Sequence, residues 1–207
     1  MTGHLATRWQ FGTLRGTAER TAATVVIKFG GSLLERPDWP ELAAGLLSAR
    51  IGSAATLVIG GGSIVDGIRL IDQIRSQPDP LAHRLAVEGM GITARLVAAT
   101  LGLPLVTRPM LRHAVIDPVA WLTADPMRAA AIPASWQVTS DSLAARVAHS
   151  AGLGLWLAKS VAPPCADSIG VAPGAKVESL AAAGWVDEWF PAATVGLEQI
   201  GWAAPAD

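Results

Sequence analysis

Short β-branched runs alternate along the chain with longer stretches whose apolar positions recur at helical spacing. "TVVIKF" (24–29) and "ATLVIGGG" (55–62) are too short and too rich in Val and Ile for helices, and both read as strands. "WPELAAGLLSARIG" (39–52) places a Pro after an Asp-Trp pair and closes on Gly, which predicts a helix. In "GSIVDGIRLIDQIRS" (62–76), Ile64, Ile68, Ile71 and Arg75 fall three or four apart, predicting a second helix that "QPDP" breaks. "LAHRLAVEGMGITARLVAATLG" (81–102) predicts a long helix. "LPLVT" (103–107) and "HAVID" (113–117) read as strands, "PVAWLT" (118–123) as a helical turn, and "DPMRAAAIPAS" (125–135) as a loop. "SDSLAARVAHSAG" (140–152) starts on capping residues and stops at Gly, so it predicts a helix. "LGLWLAKSV" (153–161) reads as a strand, "APPCADSIGVAPG" (162–174) as a loop and "AKVESLAAAG" (175–184) as a short helix. The tail "WVDEWFPAATVGLEQIGWA" (185–203) is expected to hold one strand or a helical turn.

Strands alternating with helices predict an α/β fold, a mostly parallel sheet with helices on both faces. There is no internal repeat, and Pro and Gly are scattered rather than gathered into a linker, so residues 24–207 read as a single domain. Residues 1–23 carry Arg8, Arg15 and Arg20 against Glu19 alone and lack the apolar core of a signal peptide. They read as a flexible leader or an extra edge element, with a transit peptide as the other reading.

Composition narrows the function classes. Hydrophobic residues make up 51% of the chain, ample for a core, while 16 basic and 17 acidic residues nearly cancel. No face or tail is basic, which argues against a general nucleic-acid binder. Glycine and serine break the longest uncharged stretch, and a spanning helix needs about 20 predominantly apolar residues, so no membrane segment is expected. Cys165 is the single cysteine, which rules out an intramolecular disulfide and a cysteine metal cluster. Together these features predict a cytoplasmic protein.

The chemistry gathers at strand ends, where open α/β sheets bind ligands. Lys28 closes an apolar strand and is followed by Phe29, Gly30, Gly31 and Ser32. Adjacent glycines let backbone N–H groups approach an anion without Cβ interference, and a lysine adds a compact positive charge. On these residues alone, a phosphate site and a plain turn both stand. Gly60, Gly61 and Gly62 end the second strand ahead of a helix, where bare amides and the helix dipole favour anions. A tight turn accounts for one of these glycines but not three. Thr139, Ser140, Asp141 and Ser142 lead into the apolar pattern of the helix at 140–152; at least one of them caps it, and four exceed what a cap requires. Lys159 closes "LWLAK" as Lys28 closes "VVIK". Two lysines, two glycine clusters and a carboxylate suit phosphoryl transfer, which is chiefly positioning and charge stabilisation. Asp66 and Arg69 lie one helical turn apart, placed to pair or to meet an acceptor's head group. His4, His83, His113 and His149 show no metal-ligand spacing; His83 and Glu88 are read as a solvated helix face in preference to a substrate wall, and Cys165 as incidental.

"VVIKFGGSLL", "LVIGGGSIVDGIR", "WQVTSDSLAARVA" and "LWLAKSV", in that order over about residues 24–161, resemble the amino acid kinase superfamily of acetylglutamate, aspartate, uridylate and isopentenyl phosphate kinases. The Trp before "TSDS", with "HRLAVEGM" on the preceding helix, looks most like the short archaeal-type branch that includes the (aminomethyl)furanyl-methyl phosphate kinase of methanofuran biosynthesis. The resemblance implies a three-layer α/β/α sandwich, usually dimeric or larger, using ATP and Mg²⁺ on a small phosphorylated substrate, with the metal held mainly by phosphates. It implies that Lys28 contacts the transferred phosphoryl group, Asp141 organises the lysines and Lys159 reaches the nucleotide phosphates. Gly30, Gly31, Ser32 and Ser160 would meet the nucleotide phosphates. Gly60, Gly61, Gly62, Asp66, Arg69, Thr139 and Ser140 would form the acceptor side. After Lys159 the chain departs from its relatives: "SVAPPCADS" stands where they read close to "VDGVY". The function implied is an ATP-dependent kinase making a diphosphate from a phosphomonoester, the aminomethylfuran phosphate of one-carbon cofactor biosynthesis. The alternatives are a uridylate, isopentenyl phosphate or amino-acid carboxylate kinase, or a non-catalytic nucleotide or anion binder.

Overall fold

The computed structural model describes residues 9–16, 24–49, 51, 53–164 and 173–206, with the backbone alone for 173–176. His4, Cys165, the rest of the 1–23 stretch and the Lys176 side chain lie outside the described residues. In chain order the strands are β1 (Trp9–Arg15), β2 (Val25–Phe29), β3 (Ala55–Ile59), β4 (Leu105–Val106), β5 (Ala114–Ile116), β6 (Gly154–Ala158) and β7 (Ile200–Pro205). The helices are α1 (Trp39–Ser48), α2 (Gly62–Ile74), α3 (Asp79–Leu101), α4 (Pro118–Thr123), α5 (Pro126–Ala130), α6 (Ser140–Ala151), α7 (Pro173–Ala182) and α8 (Phe190–Ala193). A 3-10 helix spans Gly31–Glu35.

The strands form one seven-stranded sheet in the order β1-β7-β6-β2-β3-β5-β4. All neighbours are parallel except β1 and β7. Every residue of β2 and β3 is buried, as expected for parallel strands covered on both faces. The period of two sorts them. Val25, Ile27 and Phe29 join Leu57 and Trp156 in a core with Leu42 and Leu46 of α1 and Val97 of α3. Val26 joins Val58, Leu155 and Leu157 in the other, with Leu143 and Val147 of α6, Leu180 of α7 and Phe190 of α8. Helices on both faces of a mostly parallel sheet make the three-layer α/β/α sandwich.

The ends of the chain complete the sheet. β1 is an edge strand, pinned where Trp9 Nε1 donates to Leu42 O at 3.0 Å and Arg15 Nη1 to Thr194 O at 2.7 Å. So residues 9–15 are the edge element that the sequence left open against a flexible leader. The tail holds both a helix and a strand rather than one of them, since β7 is fully buried between β1 and β6. The loop expected at 125–135 contains α5, because Asp125 caps it by accepting from the Met127 and Arg128 amides. Among the described residues no helix is long and apolar enough to cross a membrane.

Candidate functional site

β2, β3 and β6 run parallel, so their C-terminal ends share one rim of the sheet. By alternation Lys28 points to the Val26 face, where α6 packs, and Lys159 follows Leu155 and Leu157 to that same face. Asp141 sits in the first turn of α6 and meets both. Its Oδ1 lies 2.8 Å from Lys28 Nζ, and its Oδ2 accepts from Lys159 Nζ at 2.8 Å. The Lys28 and Asp141 side chains are 7% and 6% exposed, so the pair is screened little by solvent. Burial works to raise the Asp141 pKa, but the two ammonium groups outweigh it and hold the carboxyl below its ordinary value. Lys159 is lowered to about 8, first by burial and then by repulsion from Lys28. Its Nζ also donates to the Trp185 carbonyl and lies 4.8 Å from the centre of the Trp185 ring.

The glycines that follow the strands meet each other. A Cβ on Gly31 would lie 2.2 Å from the Gly62 nitrogen, and one on Gly60 would lie 2.5 Å from the Gly31 nitrogen. Gly62 has φ 52°, a left-handed conformation that side chains disfavour. The bare backbone therefore serves first to let the two turns abut. This revises the expected anion cradle in part. The Gly30 amide donates to Ala158 O at 2.8 Å and the Gly60 amide to Phe29 O at 2.9 Å, so neither is free for a phosphate. Gly31, Ser32, Gly61 and Gly62 do border open space. Thr93 of α3 donates to Gly60 O, and Ser32 Oγ to Ser160 Oγ at 3.1 Å, tying the turns to α3 and to the end of β6.

Beside these turns lies a cleft of about 240 Å³. Lys28, Gly31, Ser32, Gly61, Gly62, Thr139 and Ser140 make its polar part, and Val65, Ala86, Val87, Met90, Val138 and Leu143 its apolar part. Asp66, Arg69, His83 and Trp136 line it as well. Asp66 and Arg69 are joined at 2.7 Å, and the Arg69 guanidinium lies 4.9 Å over the Trp136 ring. Trp136 Nε1 donates to Asp72 Oδ2 at 2.8 Å, so α2 is fastened to the segment that leads into α6. His83 corrects the sequence reading. It is half-buried on the cleft wall, whereas Glu88 is exposed, because five residues turn a helix well off the starting face. His83 Nδ1 lies 3.3 Å from Ser135 O, and burial lowers its pKa.

The polar run at 139–142 is also explained differently. Thr139 makes no side-chain cap. Instead Asp187, from the tail, accepts from the Thr139 and Ser142 amides at 3.0 Å each and from the Thr139 hydroxyl at 2.8 Å and the Ser142 hydroxyl at 2.5 Å. Thr139 thus borders the cleft with its hydroxyl engaged elsewhere. Sequence reasoning missed Asp187, Trp185 and the anchoring of Trp136 by Asp72. Asp187 and Trp185 sit in "WVDEW", where nothing in the spacing marks them. The sequence did mark Trp136, as the Trp before "TSDS".

No family model and no curated protein matches the chain. Among solved structures it is similar to uridylate kinase from Archaeoglobus fulgidus, with 15% sequence identity, a TM-score of 0.54, and 87% of this chain and 100% of that chain covered. At that identity the likeness shows the fold: the chain has the amino acid kinase fold.

Proposed function

We propose that this chain is an ATP-dependent small-molecule kinase that phosphorylates a small phosphomonoester to give a diphosphate. The observation that carries the reading is the convergence of Lys28 and Lys159 on the two oxygens of Asp141 at the rim of the sheet, with Lys28 reaching into a cleft bordered by the abutting glycine turns. Lys28 is placed to balance charge on a phosphoryl group beside Gly31 and Ser32, with Asp141 fixing its direction. Ser32, Lys159 and Ser160 lie on the side where nucleotide phosphates would be held. ATP supplies the transferable phosphoryl group when bound. Both Asp141 oxygens face ammonium groups, and no His, Cys, Asp or Glu set among the described residues is grouped for a metal, so Mg²⁺ would be carried mainly by the phosphates.

The acceptor is small. Ligand clefts for drug-sized molecules run from about 300 to 1,000 Å³, and this one falls below that range. An anionic head against Lys28 and a compact apolar or aromatic body against Val87, Met90, Val138 and Leu143 fit the lining. The aminomethylfuran phosphate of one-carbon cofactor biosynthesis has this form and is the acceptor we propose. ADP release measured over a panel of phosphomonoesters, with calorimetry of Mg-ATP binding and Lys28→Ala as the control, tests the reading. Activity with a small cyclic phosphomonoester, lost in Lys28→Ala, is the expected result. Absence of both ADP release and Mg-ATP binding would sink it.

A further inference from the structure

We propose that Asp187 is a positioning residue of the lysine site, gripping the first turn of α6 from outside the helix so that Asp141 presents its two oxygens to Lys28 and Lys159. A helix start leaves four amides without intrahelical partners. Here Asp187 takes the Ser142 amide, the amide of the N-cap residue Thr139 and the hydroxyls of both. Asp141 lies between Thr139 and Ser142, so the four contacts set the backbone that carries it. The grip is rigid from its other side too. Gly184, at φ 69°, turns the chain back after α7, and the Gly184 and Trp185 amides donate to Ala181 O and Leu180 O. The same short turn supplies the Trp185 carbonyl and ring to Lys159. One segment therefore positions both Asp141 and Lys159.

The rival account is a helix cap and nothing more, whose removal lowers stability and moves nothing else. The two differ in electrostatics. Lys159 is faced by Lys28, Asp141 and Asp187, and the two carboxylates oppose the lowering of its pKa. Asp187 is itself faced by Asp141, and burial raises its own pKa.

Lys28, Lys159 and Lys176 are the only lysines in the chain, so lysine-labelled protein yields few signals to assign. The Lys159 titration midpoint is followed by NMR in the wild type and in Asp187→Asn. The midpoint is expected to move below its wild-type value, with turnover falling about tenfold or more and the acceptor KM changing less. A lower melting temperature with the midpoint and turnover unchanged would overturn the proposal. The kinetic arm rests on the kinase reading, but the midpoint does not. If the wild type turns over no phosphomonoester, that reading fails while the midpoint still decides the role of Asp187. If Asp187→Asn does not fold, Ser142→Ala removes one hydroxyl contact and keeps the Asp187 carboxylate, both amide contacts and the Thr139 hydroxyl. A smaller shift in the same direction supports the proposal, and an unchanged midpoint overturns it.

Discussion

Gly31 and Gly62 meet backbone to backbone, closely enough that a Cβ on Gly31 would lie 2.2 Å from the Gly62 nitrogen and 2.7 Å from its Cα. No flexible side chain stands there to move aside, so Gly31→Ala forces the two turns apart. A stability loss of roughly 1–3 kcal/mol is expected from denaturant unfolding, and on the kinase reading turnover should fall at least about tenfold as Lys28 loses its register to the cleft. Gly67→Ala is the contrast. It sits exposed within α2 with nothing within 4 Å of an added Cβ. The change should stabilise by about 0.5–1 kcal/mol.

Asp141→Ala leaves the buried Lys28 ammonium facing that of the partly buried Lys159. Breaking a buried ion pair from one side costs about 3–5 kcal/mol, so unfolding midpoints should fall sharply. Asp141 has a depressed pKa, so the stability it contributes is present above the ordinary carboxylate value and is lost as pH falls through the folded value. Urea unfolding at stepped acid pH should therefore show a steeper loss in the wild type than in Asp141→Asn. Equal slopes in the two proteins would argue against the ion-pair account.

On the kinase reading, Lys159, lowered to about 8, would set an alkaline limit. If its charge serves the transfer, kcat/KM should decline as pH rises through about 8, and Lys159→Arg should hold any residual activity to higher pH. Stability moves the other way. Between about 8 and the ordinary lysine value of 10.5 the unfolded chain binds more protons than the folded one, so this group's contribution rises with pH across that window. Pairing kinetic profiles with unfolding curves over one pH series checks both signs.

Trp136 bounds the cleft and is held by Asp72 and Arg69. On the kinase reading, Trp136→Ala should raise the acceptor KM by about tenfold with a smaller change in kcat, since the ring would then bound the acceptor rather than the phosphoryl group. Trp136→Phe keeps a ring but drops the donor to Asp72 and should fall between the two. A KM unmoved by both changes would place the acceptor elsewhere.

Most of the sheet was legible in the chain. Val-Ile runs, glycine stops and period-two alternation depend only on neighbours, and β2, β3, β6, α2 and α6 appear within a few residues of where these cues put them. α5 had a cue that went unread: an Asp followed by Pro is a helix start. Lys28, Asp141 and Lys159 stood out because charge at an apolar strand end, or beside a helix start, has no packing use. Asp187 did not, because its partners lie 45 and 48 residues away and a carboxylate in a polar tail has many solvated explanations.

By itself, then, the sequence determined the alternation of elements, the two bare turns and the charges at the strand ends, since each is dictated by local period and backbone freedom. Only the tertiary structure decided that the glycine turns pack on each other, that His83 faces the cleft and that a distant carboxylate takes the place of the cap on α6. Those outcomes depend on which segments the folded sheet brings within hydrogen-bond reach, and bonds of that range depend on distance in space, not along the chain.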